Sequence, residues 1–269
     1  MDTRIDFNTA KKFNQIDLID WPTKYGNFKF YIRKGLNEIK YNVGTNVSKS
    51  PKSGEYIKPL TSSAYGPSLD VNAVFNQNDV WLDVGGHIGL FAVRMATQFP
   101  KIQKIYAYEA LPHNASFAIE NIAINNVTAE CEVVQKAIVP TNEDTIDFFI
   151  SNDSGKHSIL PIRGRDVMHL PAININDAIA NHGATAIKMD VEGAEYELIK
   201  AVTDWSKIRV LIVEYHFMYK LLKTNRVQKF QEIISILENN FDIVRKIEAV
   251  EYGKNFITHI VAIKNDKSN

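Results

Sequence analysis

The segment Lys188–Glu195, KMDVEGAE, sets Asp190, Glu192 and Glu195 directly after an apolar run. Carboxylates this close disfavour one another's charge unless a cation or a hydrogen-bonding ligand balances them. Three chemistries fit: a metal site, a cationic ligand, or an acid/base pair. A second polar pair, Glu214 and His216, stands two positions apart at the end of another apolar run. Residues at that spacing share one face of a strand. A histidine so placed is a candidate general base with a carboxylate to orient it, a role worth about 10²–10⁴ in rate. Asp190 is the second candidate for that base. Lys188 and Asp190 also share a strand face. Glu192 and Glu195 read as turn and helix-start residues, where the helix dipole favours negative charge. A divalent ion held by Asp190, Glu192 and Glu214 is the lesser reading, because an oxygen-only set suits Mg2+; no residue is assigned to a metal.

Positioning these groups takes a sheet. Short apolar runs at Val80–Val84, Lys104–Glu109, Cys131–Val139, Ala184–Asp190 and Ile208–His216 read as strands. Helical spacing appears between them, with Phe91, Met95 and Phe99 on one face, and Val227, Phe230, Ile233, Ile234 and Leu237 on another. Pro112 opens a helix after the second strand, and Thr145–Ser151 reads as an added strand. Strands alternating with helices predict an α/β fold with a parallel sheet covered on both faces. Phe241–Glu248 and Phe256–Lys264 are separated only by AVEYGKN. That gap is too short for a helical crossover, so the last two strands are expected to be antiparallel. The expectation is a mostly parallel, seven-stranded sheet closed by a C-terminal hairpin. Residues 71–269 would form this core. Residues 1–70 would be an extension, with a strand at Asn27–Gly35 and a Ser/Pro/Gly/Lys-rich loop, Asn46–Asp70, that serves as a surface arm or a lid.

Between the first core strand and its helix lies Asp83–Gly89, DVGGHIG. Ligands of such sheets bind beyond the carboxyl ends of the strands. Gly85, Gly86 and Gly89 let the backbone turn and approach a ligand closely, and the following helix offers free N–H groups to an anion. The dinucleotide pattern G-x-G-x-x-G does not fit, because Val84 stands where its first glycine would be. Glu109 ends the next strand, where an acid accepts ribose hydroxyls of an adenosine, whether in a dinucleotide or in S-adenosylmethionine. Gln135 is placed to meet the adenine edge. His157, Arg163 and Arg165 are candidates for an anionic substrate group, and Tyr65 for stacking on the cofactor.

With DVGGHIG, Glu109-Ala110, KMDVEGAE and Glu214-Tyr215-His216 in hand, the chain resembles the FkbM-type methyltransferase family over about Asn78 to Lys264. That family typically shows D-V-G-A-N-x-G, E-P, K-x-D-V-E-G-A-E and E-x-H. The resemblance implies a Rossmann-like class I methyltransferase fold, S-adenosylmethionine as donor, and O-methylation of a hydroxyl on a small molecule, sugar or secondary metabolite. It implies cofactor-binding roles for Asp83, Gly85, Gly86, His87, Gly89, Glu109, Ala110 and Asp190. Gly86 and His87 stand where the family has Ala-Asn, and Ala110 where it has Pro. The alternatives are a catalytically silent module that keeps the fold and an RNA-cap or other nucleic-acid methyltransferase.

Bulk properties narrow the classes. Lys+Arg and Asp+Glu are both 31, so net charge gives no pull towards a polyanion and nucleic acid is not expected as partner. The lone Cys131 excludes an internal disulfide and any Cys-based zinc centre, and reads as a small buried hydrophobe. No run approaches the roughly 18 apolar residues of a membrane span. The N-terminal MDTRIDFNTAKKF lacks the apolar segment of a signal peptide. A cytoplasmic protein acting on a small-molecule or glycan acceptor is the expectation.

Overall fold

The computed structural model describes residues 4–23, 26–34, 70–151, 157–161, 165–217, 225–246, 250–252 and 255–265. Helix α1 (Phe7–Lys12) precedes the antiparallel hairpin of β1 (Ile16–Thr23) and β2 (Gly26–Arg33). Helix α2 (Val71–Phe75) then leads into β3 (Val80–Val84), α3 (Leu90–Gln98), β4 (Lys104–Tyr108), α4 (Pro112–Ile124) and β5 (Cys131–Val134). Three strands follow, β6 (Ala137–Val139), β7 (Thr145–Ile150) and β8 (Asp166–Asn174). The chain continues through α5 (Ile175–His182), β9 (Ala186–Met189), α6 (Glu195–Ala201), β10 (Val210–Phe217) and α7 (Arg226–Asn240). It finishes with β11 (Ile243–Lys246), β12 (Val250–Tyr252) and β13 (Asn255–Ile263).

The main sheet runs β11-β13-β10-β9-β3-β4-β5. Strands β5, β4, β3, β9 and β10 are parallel to one another, and β13 lies antiparallel between β10 and β11. The expected C-terminal hairpin is therefore present. The short β12 also pairs with β13, which makes eight strands where the sequence suggested seven. Cys131–Val139, expected as one strand, is two: Lys136 N–H turns back onto Val134 O at 2.9 Å, and β6 leaves to pair with β8 in a separate three-stranded sheet.

Alternation along the strands sends side chains to two cores. Trp81, Ala186, Val210 and Ile212 pack with Phe91, Met95 and Phe117 under α3 and α4. Leu82, Ile187, Leu211 and Val213 pack with Ile175, Leu198, Ile233 and Leu237 under α5, α6 and α7. The odd/even register decides which polar groups meet at the strand ends.

The N-terminal hairpin docks on the first of these layers. Phe7, Phe28, Phe30 and Ile32 join the α3–α4 core. The exposed edge of a strand needs partners for its backbone, and α4 supplies them with two asparagines one turn apart. Asn121 accepts from Tyr31 N–H at 2.6 Å and donates to Tyr31 O and Ile88 O, while Asn125 exchanges the same pair with Lys29. The loop expected as an arm or lid lies outside the described residues, apart from Asp70, which caps α2.

Candidate active site at the strand tips

The glycine loop after β3 is shaped by close approach. Gly85 has φ +85°, and a Cβ there would lie 1.9 Å from the Asp190 backbone oxygen. Its N–H and that of Gly86 both donate to Tyr108 O. A Cβ on Gly86 would stand 3.2 Å from Ala107 Cβ, and Gly89, at φ +84°, packs on Ala118 of α4. His87 has φ +47°, a left-handed conformation that asparagine and histidine adopt more readily than most residues. The family's usual Asn and this chain's His therefore meet the same backbone requirement. Burial, with the positive charges of Arg33, His157, Lys188 and His113 around it, pushes the His87 pKa down to about 3. The ring is neutral at physiological pH and a weak base. Its Nε2 is buried without a hydrogen-bond partner.

Glu109 sits beside this loop, 7% exposed. Its Oε2 accepts from His87 N–H at 2.8 Å; its Oε1 accepts from Leu111 N–H at 3.0 Å and from Asn114 Nδ2 at 3.3 Å. Burial dominates these bonds and raises the carboxyl to about 7. Ionised, it still has acceptor capacity for hydroxyl donors. Behind it, Arg33 of β2 donates to His113 O and Asn114 Oδ1, so the N-terminal hairpin braces the residue that braces Glu109. Ala110 is buried in the position where the family has proline. Gln135 lies exposed just past β5.

Asp83 and Lys188 are register partners on β3 and β9. Lys188 Nζ lies 3.1 Å from Asp83 Oδ1, 3.0 Å from Gly85 O and 3.7 Å from Asp190 Oδ2. Asp83 is fully buried, and burial raises its pKa even against the lysine. Asp83 thus holds the loop through Lys188 from beneath. As expected from strand spacing, Lys188 and Asp190 face the same side.

Beyond Asp190 the acidic groups converge on His216. Glu195, at the start of α6 and fully buried, accepts from Val191 N–H at 3.1 Å and Gly193 N–H at 3.0 Å, and its Oε1 lies 3.0 Å from His216 Nδ1. On the other side of the ring, Nε2 lies 3.6 Å from Glu192 Oε2 and 3.7 Å from Glu214 Oε1. Burial opposes charge on His216, but Glu192, Glu195 and Glu214 outweigh it and hold the pKa well above its ordinary value. Burial, with Asp190 and Glu214 adding to it against the His216 charge, raises Glu192 to about 8. Asp190 is raised by burial and by Glu214.

Two sequence expectations change here. The carboxylate that orients His216 is Glu195, not Glu214, whose Oε2 is 3.1 Å from His259 Nε2 across the β10–β13 pair. Glu195 read as a helix-start residue because nothing in its spacing says that α6 would be pulled onto the end of β10. The three groups with donor atoms within 4.8 Å of one another are Asp190, Glu192 and His216, so the imidazole replaces Glu214 in the oxygen-only set. Other candidates fall elsewhere. His157 is buried with Nδ1 accepting from Ser151 N–H, and Arg165 donates to Phe149 O. Arg163 and Tyr65 lie outside the described residues. Cys131 is buried, its thiol raised to about 12 by burial.

Strand order, the inserted antiparallel β13, the glycine turn after β3 and the acid after β4 define a Rossmann-like class I methyltransferase fold. Residues 83–243 match the model of the methyltransferase FkbM domain, and the chain belongs to that family. No curated protein matches the sequence. Among solved structures, P. horikoshii TYW2 in complex with MeSAdo is 14% identical, with TM-score 0.47, over 93% of this chain and 72% of that one. The M. jannaschii tRNA m1G37 methyltransferase is 13% identical, with TM-score 0.44, over 93% and 57%. Precorrin-6y C5,15-methyltransferase from Geobacter metallireducens is 12% identical, with TM-score 0.40, over 76% and 93%. Among the described residues, no helix is long and apolar enough to cross a membrane.

Proposed function

We propose that the chain transfers a methyl group from S-adenosylmethionine to a hydroxyl of a small molecule or glycan. The observation that carries this reading is the double role of Asp190. Its backbone oxygen presses on Gly85 of the cofactor loop, and its carboxylate belongs to the Asp190–Glu192–His216 group. One residue thus joins the place that fits the donor to the place that fits an acceptor.

The residues present suit the donor. The glycine cradle leaves room only for backbone, Glu109 has acceptor capacity for ribose hydroxyls, and His87 Nε2 is an orphaned polar atom in the same wall. Asp83 acts through Lys188 to fix the loop, Ala110 shapes the wall beneath Glu109, and Gln135 stands at the adenine end. Asp190 offers negative charge towards a cationic centre. When bound, the donor supplies a methyl on sulfonium, whose C–S bond breaks with its electrons left on sulfur as the O–C bond to the acceptor forms. The chain's own task is to align the acceptor oxygen at about 3–3.5 Å, exclude water and take up the hydroxyl proton. His216, charged in the free protein, is not the sole base; the proton goes to the Asp190–Glu192–His216 group, in which Glu192 near 8 is matched to neutral pH.

The neutral chain offers no net attraction for RNA, although similar folds are named as tRNA methyltransferases, and those give the expectation against nucleic acid no support. A donor-dependent screen with radiolabelled methyl over sugars, hydroxylated metabolites and capped RNA tests the reading. Label on an alkyl hydroxyl supports it; label only on RNA, or none with any acceptor, contradicts it.

A further inference from the structure

We propose that Asp190, Glu192 and His216 form a divalent-cation site, of the mixed nitrogen–oxygen kind, at the strand tips; the proposal rests on the methyltransferase reading only for what the ion would do there. The first support is convergence. One ligand atom from each residue lies within 4.8 Å of the others, and His216 Nε2 is 3.6 Å from Glu192 Oε2. Donors about 2.0–2.2 Å from an ion stand about 2.8–3.6 Å apart, from octahedral to tetrahedral geometry, so side-chain shifts of about an ångström close the set.

The second support is the orientation of the imidazole. His216 is 3% exposed, and its Nε2, aimed into the group, makes no hydrogen bond; its nearest carboxylate oxygens are the two at 3.6 and 3.7 Å. Its Nδ1 is taken by Glu195. A carboxylate on one ring nitrogen, leaving the other to face a ligand, is how metal-bound histidines are oriented.

The neighbouring Lys188 is shared between two carboxylates. Lys188 is closer to Asp83, at 3.1 Å, than to Asp190, at 3.7 Å. Glu214, held against His259, is the carboxylate left out of the set. The side chains of Asp190 and Glu192 are 29% and 24% exposed, so the site is accessible from outside, as one that also binds substrate must be. One imidazole with two carboxylates suits Mn2+, Fe2+ or Co2+ better than Ca2+ or Mg2+. An ion there would displace the His216 proton and, in place of proton uptake by the three groups, bind the acceptor oxygen and polarise it.

The test is titration of chelator-treated full-length protein with Mn2+, followed by the electron paramagnetic resonance signal of the free ion. The wild type, Glu192→Gln, His216→Gln and the exposed off-site control Glu197→Gln are compared. One Mn2+ per chain in the wild type and the control, weakened at least tenfold in the other two, supports the site. No stoichiometric uptake by the folded wild type, or uptake unchanged in Glu192→Gln, overturns it. Glu192 lies on a rim turn, so that variant keeps the test valid if His216→Gln fails to fold. Calorimetry with S-adenosylmethionine in chelator separates the two claims: donor binding without Mn2+ uptake removes the cation site and leaves the methyltransferase reading standing.

Discussion

Glu195 Oε1 lies 3.0 Å from Nδ1 of His216, with both side chains inside the protein and two loop N–H groups bound to the same oxygen. This one carboxylate ties the KMDVEGAE turn, the start of α6 and the end of β10 together.

Glu195→Gln keeps the shape and removes the charge. Nuclear magnetic resonance titration should show the His216 pKa falling towards its ordinary value. Because His216 is raised in the folded protein, its contribution to stability is full below about 6.5 and lost as pH rises through the folded pKa. In the variant that loss should be complete at lower pH. Denaturant unfolding at neutral pH should cost about 1–3 kcal/mol.

Gly85→Ala and Gly86→Ala should differ sharply. At Gly85 a Cβ combines a left-handed φ with a 1.9 Å contact to Asp190 O, and the added strain is about 1–2 kcal/mol before the clash is relieved. Gly86 needs only a small shift from Ala107, and the family carries alanine there. Chemical denaturation should find Gly85→Ala severely destabilised and Gly86→Ala within about 1 kcal/mol of wild type.

His87→Asn should preserve stability and donor affinity within about threefold, since asparagine accepts the same left-handed backbone. His87→Val, β-branched at φ +47°, should lose about 1–2 kcal/mol. Equal stability of the two variants would refute the backbone explanation of this position.

On the proposed reading, Glu109 should make donor binding depend on pH. Its carboxyl, raised to about 7 by burial, must be ionised to accept ribose hydroxyls. Affinity should be level above pH 7 and fall up to tenfold per unit below it, with proton release on binding near pH 6.5 seen by calorimetry in buffers of different ionisation enthalpy. The sign for folding is opposite: a carboxyl raised in the folded state loses its stabilising contribution as pH climbs from about 4.5 to 7.

The sheet was legible because its signals are local and periodic: Val80–Val84, Lys104–Tyr108 and Val210–Phe217 are apolar runs bounded by polar ends, and the AVEYGKN gap allows only an antiparallel return. The glycine turn after β3 and the placement of Glu109 beside it were legible because their spacing follows from chain geometry. Glu195 was not, because its partner His216 is brought to it by the α6–β10 packing. The hairpin's bond to Asn121 and Asn125 was equally hidden; asparagines one turn apart on a helix look solvent-facing until a strand edge is laid along them.

The central claim is that an adenosyl donor lies between Glu109 and Asp190. Calorimetry with S-adenosylmethionine at pH 8 tests it most directly. The account predicts one site of micromolar affinity in the wild type, lost in Glu109→Ala and kept in Glu197→Gln. A folded wild type that takes up no donor, or a Glu109→Ala variant that binds it as tightly, would contradict the account.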